Sequence, residues 1–204
     1  MRNVRREAAI YVQLASLILI WAVVLFVSGV ELKINWEALK KLPEVVTIYY
    51  GLQLLFTTWA WRLPVFQRWL VPLPDLQGTW VGTLQSTWKE TGQFKPPVPI
   101  IIVVRQSFYS ISCVMYSEES TSLSSTAQII GEEDGLPLRL SFIYSNRPKA
   151  SVREKSQVHD GAAILKVVEQ PERILEGDYW TDRKTTGDIQ VLFRDKKLAD
   201  SFSL

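Results

Sequence analysis

From residue 76 onward, apolar and polar positions alternate in runs of about ten residues. That two-residue period belongs to half-buried β-strands. Eight runs are distinguishable, at roughly 76–88, 99–107, 109–117, 120–130, 136–146, 157–169, 172–183 and 187–195. Turn signals separate them, among them Thr91–Pro99, Gly131–Gly135, Asn146–Ser156 and Lys184–Gly187, and no amphipathic helical pattern intervenes. An antiparallel meander of about 130 residues predicts an up-and-down barrel or a sandwich. Before residue 71 the pattern changes. Ala8 to Val30 is 23 residues without a charge, ~34 Å as a helix and enough to cross a ~30 Å hydrocarbon core. Val45 to Trp61 adds 17 uncharged residues, extended to about residue 63 if Arg62 snorkels. Tyr49, Tyr50, Trp59 and Trp61 lie toward its ends, as in an interfacial aromatic belt.

The expected domains are therefore a transmembrane helical hairpin over 1–70, with spans of about 8–30 and 45–63, and a β-domain over 71–204. Pro64, Pro72 and Pro74 make a stiff connector between them. The first apolar run exceeds the h-region of a cleaved signal peptide. Arg2, Arg5 and Arg6 precede the first span and Arg62 and Arg68 follow the second, against Lys33, Lys40 and Lys41 in the connection. This bias places both termini of a multi-pass protein in the cytoplasm. Within the spans Gln13, Ser16, Gly51 and Gln53 are candidate helix contacts, either within the hairpin or between copies.

Charge narrows the function. Residues 1–70 hold 8 basic and 4 acidic side chains, and residues 71–204 hold 15 and 17. A β-domain with a net charge of −2 does not bind nucleic acid polymers by bulk electrostatics. One cysteine, Cys113, and one histidine, His159, exclude a disulfide framework and make a metal site improbable. No cofactor fingerprint, nucleophile elbow or acid–base carboxylate pair is present, so no catalytic residue is assigned.

The candidate site comes from strand faces. Leu138, Leu140, Phe142 and Tyr144 share one face of their run, and His159, Gly161, Ala163, Leu165 and Val167 share one face of theirs. Polar and small residues gather at one end of these faces. That predicts a barrel apolar at one end and polar at the other, with room for a small ligand in its mouth. If Leu175 points inward, so do Gly177, Tyr179, Thr181 and Arg183; "STSLSSTAQ" puts Ser120, Ser122, Ser124 and Thr126 on one face. Arg suits phosphate, aromatic rings stack on bases, and Gly161 and Gly177 leave room for close approach. The ligand-lining set is Trp80, Ser122, Ser124, Tyr144, His159, Tyr179, Thr181 and Arg183. The competing assignments are a solvated outer face for the Ser/Thr run, a capping role for His159 and simple barrel filling for the aromatics.

The two apolar spans, the proline-rich connector and the segments "LQGTWVG", "HDGAAIL" and "LEGDYWTDRKTTGDI" together resemble the two-transmembrane, β-strand-rich effectors of bacterial cyclic-oligonucleotide-based anti-phage signalling systems (CBASS). The pattern G-x-Y-W-T-x-R-x-x-x-G over 177–187 is the strongest element of the likeness, and Gly78–Thr79–Trp80 is also similar to the lipocalin opening. The resemblance implies a membrane-anchored all-β protein with a compact, lipocalin-like eight-stranded antiparallel β-barrel in the cytoplasm. It implies an effector with no enzymatic step and no cofactor. A cyclic dinucleotide from a partner cyclic nucleotide synthase binds the barrel, copies assemble into a homo-oligomer, and the inner membrane is disrupted in abortive infection. The rival readings are a tethered lipocalin-like carrier of an apolar ligand, a protein-binding scaffold, and a hydrolase using a serine with His159.

Overall fold

The computed structural model describes residues 6–67, 69–90, 92–131 and 137–203. The chain divides into two compact units, the first ending at Pro74 and the second beginning at Asp75.

In the first unit, α1 runs Arg6–Val27, α2 Trp36–Leu39 and α3 Leu42–Thr58, followed by a 3₁₀ turn at Ala60–Arg62. α1 stops at a left-handed glycine: Gly29 has φ 65°. The Val30 amide donates to the Leu25 carbonyl at 3.0 Å and the Gly29 amide to Phe26 at 3.2 Å, the Schellman arrangement that satisfies orphan carbonyls. Asn35 caps α2 through the Ala38 amide at 2.8 Å. Ile20 and Val24 of α1 pack on Val45 of α3, with Trp21 and Tyr49 alongside, so the two helices form an antiparallel hairpin. Among the described residues one helical stretch, Ala8–Val27, is long and apolar enough to cross a membrane. The second apolar run is helical over Leu42–Thr58 and does not continue to residue 63 as expected. Its 17 residues rise ~25 Å. The chain leaves the α-helix at Trp59, whose φ and ψ are −137° and −52°.

The second unit is a closed barrel of eight long strands: β1 Gly78–Ser86, β4 Val98–Gln106, β5 Ile111–Ser117, β6 Ser120–Ile130, β7 Arg139–Pro148, β8 His159–Val168, β9 Ile174–Thr181 and β10 Thr186–Asp195. A small hairpin of β2, Lys89–Glu90, and β3, Gln93–Phe94, sits in the β1–β4 connection. Every neighbouring pair is antiparallel, and β1 closes the barrel against β10 and β4. The meander is thus a barrel and not a sandwich, and each of the eight sequence runs overlaps one of its strands, with β4, β7 and β10 reaching one or two residues beyond theirs.

Glycines let so small a barrel coil. A Cβ on Gly82 would lie 2.0 Å from the Gln190 carbonyl oxygen, and one on Gly177 2.2 Å from that of Ile164. Gly177 was expected to leave room for a ligand; the space is taken by the backbone of β8. Gly161 was read the same way. Its missing Cβ is replaced by the Tyr144 ring, with Cζ and Oη 2.5 Å from where the Cβ would be.

One end of the barrel is sealed. Trp80, fully buried, donates its indole N–H to the Leu76 carbonyl at 3.0 Å. Phe193 meets it edge to face at 5.2 Å. The Arg173 guanidinium lies 4.1 Å from the Phe193 ring centroid and donates to the Asp75 carbonyl at 2.7 Å. Above this plug Ile100, Ile102, Leu140, Phe142, Leu165, Leu175 and Ile189 fill the interior.

Outside, a C-terminal strap covers the seam. Leu198, Ala199 and Phe202 lie over Val81, Ile101, Val103, Val114 and Tyr116, and the Ala199 amide donates to Thr79 Oγ1 at 3.0 Å. β4 is therefore buried on both faces, which accounts for its unbroken apolar run Ile100–Val104.

Candidate functional site

The open end is where β1, β5, β7 and β9 finish and β4, β6, β8 and β10 begin. The alternation that buries leucines lower down brings Ser86, Ser122, Tyr144, Asn146, His159, Tyr179 and Thr181 to this end, because the inward phase of each strand persists to its last residue. Tyr144 pairs with Gly161 across β7–β8, and Tyr179 with Gly187 across β9–β10. Each ring occupies its partner's glycine notch: a Cβ on Gly187 would lie 2.7 Å from Tyr179 Cε1. Two phenols thus form a floor above the apolar filling. Burial raises the pKa of both hydroxyls. For Tyr144 the neighbouring Tyr179 adds to that shift, while the Arg183 charge acts against it.

Arg183 stands at the rim on a braced turn. The Thr181 amide donates to the Thr185 carbonyl at 2.9 Å, the Thr185 amide donates to Thr181 Oγ1 at 3.3 Å, and Lys184 takes the left-handed conformation with φ 61°. From this turn Arg183 Nη2 reaches His159 Nε2 at 3.3 Å and Nη1 reaches Ser156 Oγ at 3.4 Å. His159 Nδ1 lies 3.0 Å from the Gln157 carbonyl. A carbonyl only accepts and a guanidinium only donates, so these two contacts use Nδ1 as donor and Nε2 as acceptor. Arg183 is exposed, and no described carboxylate lies within ion-pair distance of it. It is held by neutral acceptors alone, which an anion displaces readily.

Below the rim, Ser122 Oγ donates to Asn146 Oδ1 at 2.9 Å. Asn146 Nδ2 approaches His159 Nδ1 at 3.5 Å, but Nδ1 already donates to Gln157, so these two donors do not bond. Both Ser122 and Asn146 are buried. A buried amide with unused N–H capacity at a polar mouth is set to meet an acceptor.

Of the eight expected lining residues, six gather here: Ser122, Tyr144, His159, Tyr179, Thr181 and Arg183. Two do not. Trp80 is at the sealed end, in the plug. Ser124 accepts the Cys113 amide at 2.9 Å, lacing β5 to β6 where their backbone ladder stops at Leu123. Thr126, placed on the same face by simple alternation, faces outward, because the register slips between Ser124 and Thr126 and a bulge reverses the phase. Cys113 itself is buried, and burial pushes its thiol up to about 12.

Sequence reasoning passed over Asn146, although continuing the Leu140–Phe142–Tyr144 alternation by one step reaches it. It also passed over the β7–β8 loop, where Arg147, Lys149, Arg153 and Lys155 face one acid, Glu154. The expected helix contacts are not brought together. Ser16 donates to the Gln13 carbonyl at 2.8 Å and Gln53 to Tyr49 at 3.1 Å, each within its own helix. Gln13 and Gly51 are exposed.

Residues 71–192 match the family described as "Cap15, cyclic dinucleotide receptor domain". Among curated proteins the chain is similar to the CD-NTase-associated protein 15 of Staphylococcus schleiferi, 29% identical over 175 residues, 85% of this chain and 89% of that protein. It is also similar to the CD-NTase-associated protein 15 of Escherichia albertii, 23% identical over 165 residues, 79% of this chain and 81% of that one.

Proposed function

The chain belongs to the Cap15 family, and on that premise we propose that the polar mouth of its barrel receives a cyclic dinucleotide in a CBASS effector, with Arg183 as the phosphate contact. The observation that carries this reading is Arg183 itself, a rim guanidinium above two tyrosines with only neutral groups to hold it. Phosphate takes the guanidinium from His159 and Ser156. Tyr144 and Tyr179 offer ring faces or edges to the bases, and Asn146 with Ser122 supplies hydrogen bonds from below. The apolar half of the barrel is filled by side chains, which disfavours the apolar-carrier reading.

The remainder follows the same logic. Residues 1–70 anchor the protein in the inner membrane as a hairpin, with both termini and the barrel of residues 71–204 in the cytoplasm, and a cyclic nucleotide synthase supplies the ligand. Ligand shifts the protein toward an assembled, membrane-disrupting state only if it binds that state better. A ~100-fold preference, ~2.7 kcal/mol, is within the reach of one charge-assisted contact plus stacking. The effector performs no chemistry on its ligand.

Calorimetry on the full-length protein in detergent, titrated with a panel of cyclic dinucleotides, tests this. One member binds at micromolar affinity or tighter, and Arg183→Ala weakens it ~10-fold or more with an unchanged melting temperature. A folded wild type that binds no member, or a variant that binds as well as the parent, removes the proposal.

A further inference from the structure

The inward phase of β1 passes through Leu84 and Ser86, and the next residue in that phase is Trp88. Ser86 borders the Tyr179 hydroxyl and pairs with Gly187, the residue whose notch seats the Tyr179 ring. The β1–β10 ladder runs one step past Ser86: the Thr87 amide donates to the Thr186 carbonyl at 2.9 Å, and the two threonine hydroxyls meet at 2.8 Å. Carried one residue further, the same register sets Trp88 beside Thr185, in the turn that carries Arg183. The Trp88 amide donates to Ser86 Oγ at 3.1 Å. The residue is 55% exposed, and its indole N–H has no hydrogen-bond partner among the described residues.

Phe94 adds a second exposed ring, at 60%. It pairs with Lys89 across β2–β3, and the Lys89 ammonium lies 4.7 Å from its ring centroid, with no described carboxylate in ion-pair distance. The segment is held in place. Gln85 Nε2 donates to the Lys95 carbonyl at 2.8 Å, and Pro96, Pro97 and Pro99 stiffen the return into β4. In the order of strands around the barrel, the β1–β4 connection stands opposite the β7–β8 connection. The mouth therefore has an aromatic side, and facing it a side that carries Asn146 and His159. Single exposed rings are common on protein surfaces. These two are fixed at the rim, with a cation between them and the Arg183 turn next to them, and a contact surface prepared in advance costs little to use.

We propose that Trp88 is a base-stacking residue of the mouth, with Lys89 and Phe94 completing an aromatic, cationic rim on the β1–β4 side. The proposal rests on the mouth as a cyclic dinucleotide site and adds a contact to it. Arg183 holds a phosphate from the β9–β10 turn, and the nucleoside joined to that phosphate meets the indole on the neighbouring strand. A base has two faces. The tyrosine floor serves the face turned into the barrel, and Trp88 serves the face turned toward solvent. Lys89 matches the negative charge of the ligand on the same side. Trp88 thus acts on affinity through stacking and contributes nothing to holding the strands together.

The test uses the full chain in detergent. Wild type, Trp88→Ala, Trp88→Leu and Trp88→Phe are titrated by calorimetry with cyclic di-AMP, cyclic di-GMP, cyclic GMP–AMP and cyclic UMP–AMP. For each nucleotide that the wild type binds, Trp88→Ala weakens binding on the order of 10-fold or more. Trp88→Leu restores little of the loss and Trp88→Phe most of it, and all four proteins melt at the same temperature. Saturating nucleotide quenches the tryptophan emission of the wild type, and Trp88→Phe removes that quenching. Trp88→Ala binding as tightly as the parent, leucine serving as well as phenylalanine, or quenching that survives Trp88→Phe overturns the proposal. The two readings fail differently. Binding that depends on Arg183 but not on Trp88 removes this contact and leaves the mouth, whereas a folded wild type that binds none of the four nucleotides removes both.

Discussion

Gly161→Ala tests the seating of Tyr144. The new methyl group would arrive 2.5 Å from two atoms of the Tyr144 ring end and 2.8 Å from the Trp180 carbonyl oxygen. Ordinary carbon contacts lie near 3.5–4.0 Å, so the ring must swing out of its notch or β8 must move away from β9. Overpacking of this kind costs ~1–3 kcal/mol. For a domain of this size 1 kcal/mol moves the melting temperature by ~4 °C, giving a drop of ~4–12 °C. Tyr144→Leu removes the ring end, so the same glycine substitution in that background retains only the carbonyl contact. The cycle therefore predicts a coupling of ~1 kcal/mol or more between the two sites. Tryptophan fluorescence of the four proteins during thermal unfolding reads it. Equal penalties for Gly161→Ala in both backgrounds would refute the notch, and with it the tyrosine floor of the site. If the floor holds, Gly161→Ala also weakens cyclic dinucleotide binding at temperatures where the barrel remains folded.

Three further outcomes follow from the geometry. Trp80→Phe loses the indole bond to Leu76 and destabilises the barrel by ~1–2 kcal/mol while leaving ligand affinity unchanged; a loss of affinity with the fold intact would return Trp80 to the site. Cys113, with its thiol moved from 9.0 to about 12, reacts with a thiol reagent at pH 8 on the order of 1000-fold more slowly than in the unfolded chain, and equal rates would contradict its burial. Tyr144 and Tyr179 are held neutral by burial. Below about pH 10 they are neutral folded or unfolded and add no pH dependence; above it the unfolded chain gives up protons that the folded chain keeps, so stability falls as pH rises. Denaturation midpoints between pH 8 and 11 show this slope, and Tyr144→Phe with Tyr179→Phe flattens it.

Strand positions other than β4 were legible because one face is mainly apolar and its period survives to the strand ends. The site was legible for the same reason: Tyr144, His159, Tyr179 and Thr181 stand in phase with buried leucines of their own strands. Phase failed at Ser124–Thr126, where three small hydroxyl residues look alike on either face and nothing marks a bulge. Trp80 misled because an aromatic side chain fills a plug as well as it lines a pocket, and only the direction of β1 decides between them. The glycines were read as space for a ligand, but a missing side chain does not say what approaches it. For Gly177 it is backbone, and for Gly161 a tyrosine from the next strand. Sequence alone also could not relate β4, apolar on both faces, to a strap nearly a hundred residues away.

Closure of the barrel by β10 against β1 has a consequence for synthesis. The helical unit and β1 leave the ribosome first, and β1 keeps an unpaired edge until residues 186–195 have been made. Pairing across more than a hundred residues is slow relative to local folding, and an open edge is a template for wrong partners. The turn that carries Arg183 is braced by residues 181–185, but Tyr179 gains its notch only from Gly187 of β10. A chain interrupted anywhere before β10 carries the apolar helices but no finished mouth. The order of strands thus completes the mouth only after the long apolar helix and the first seven barrel strands have been made.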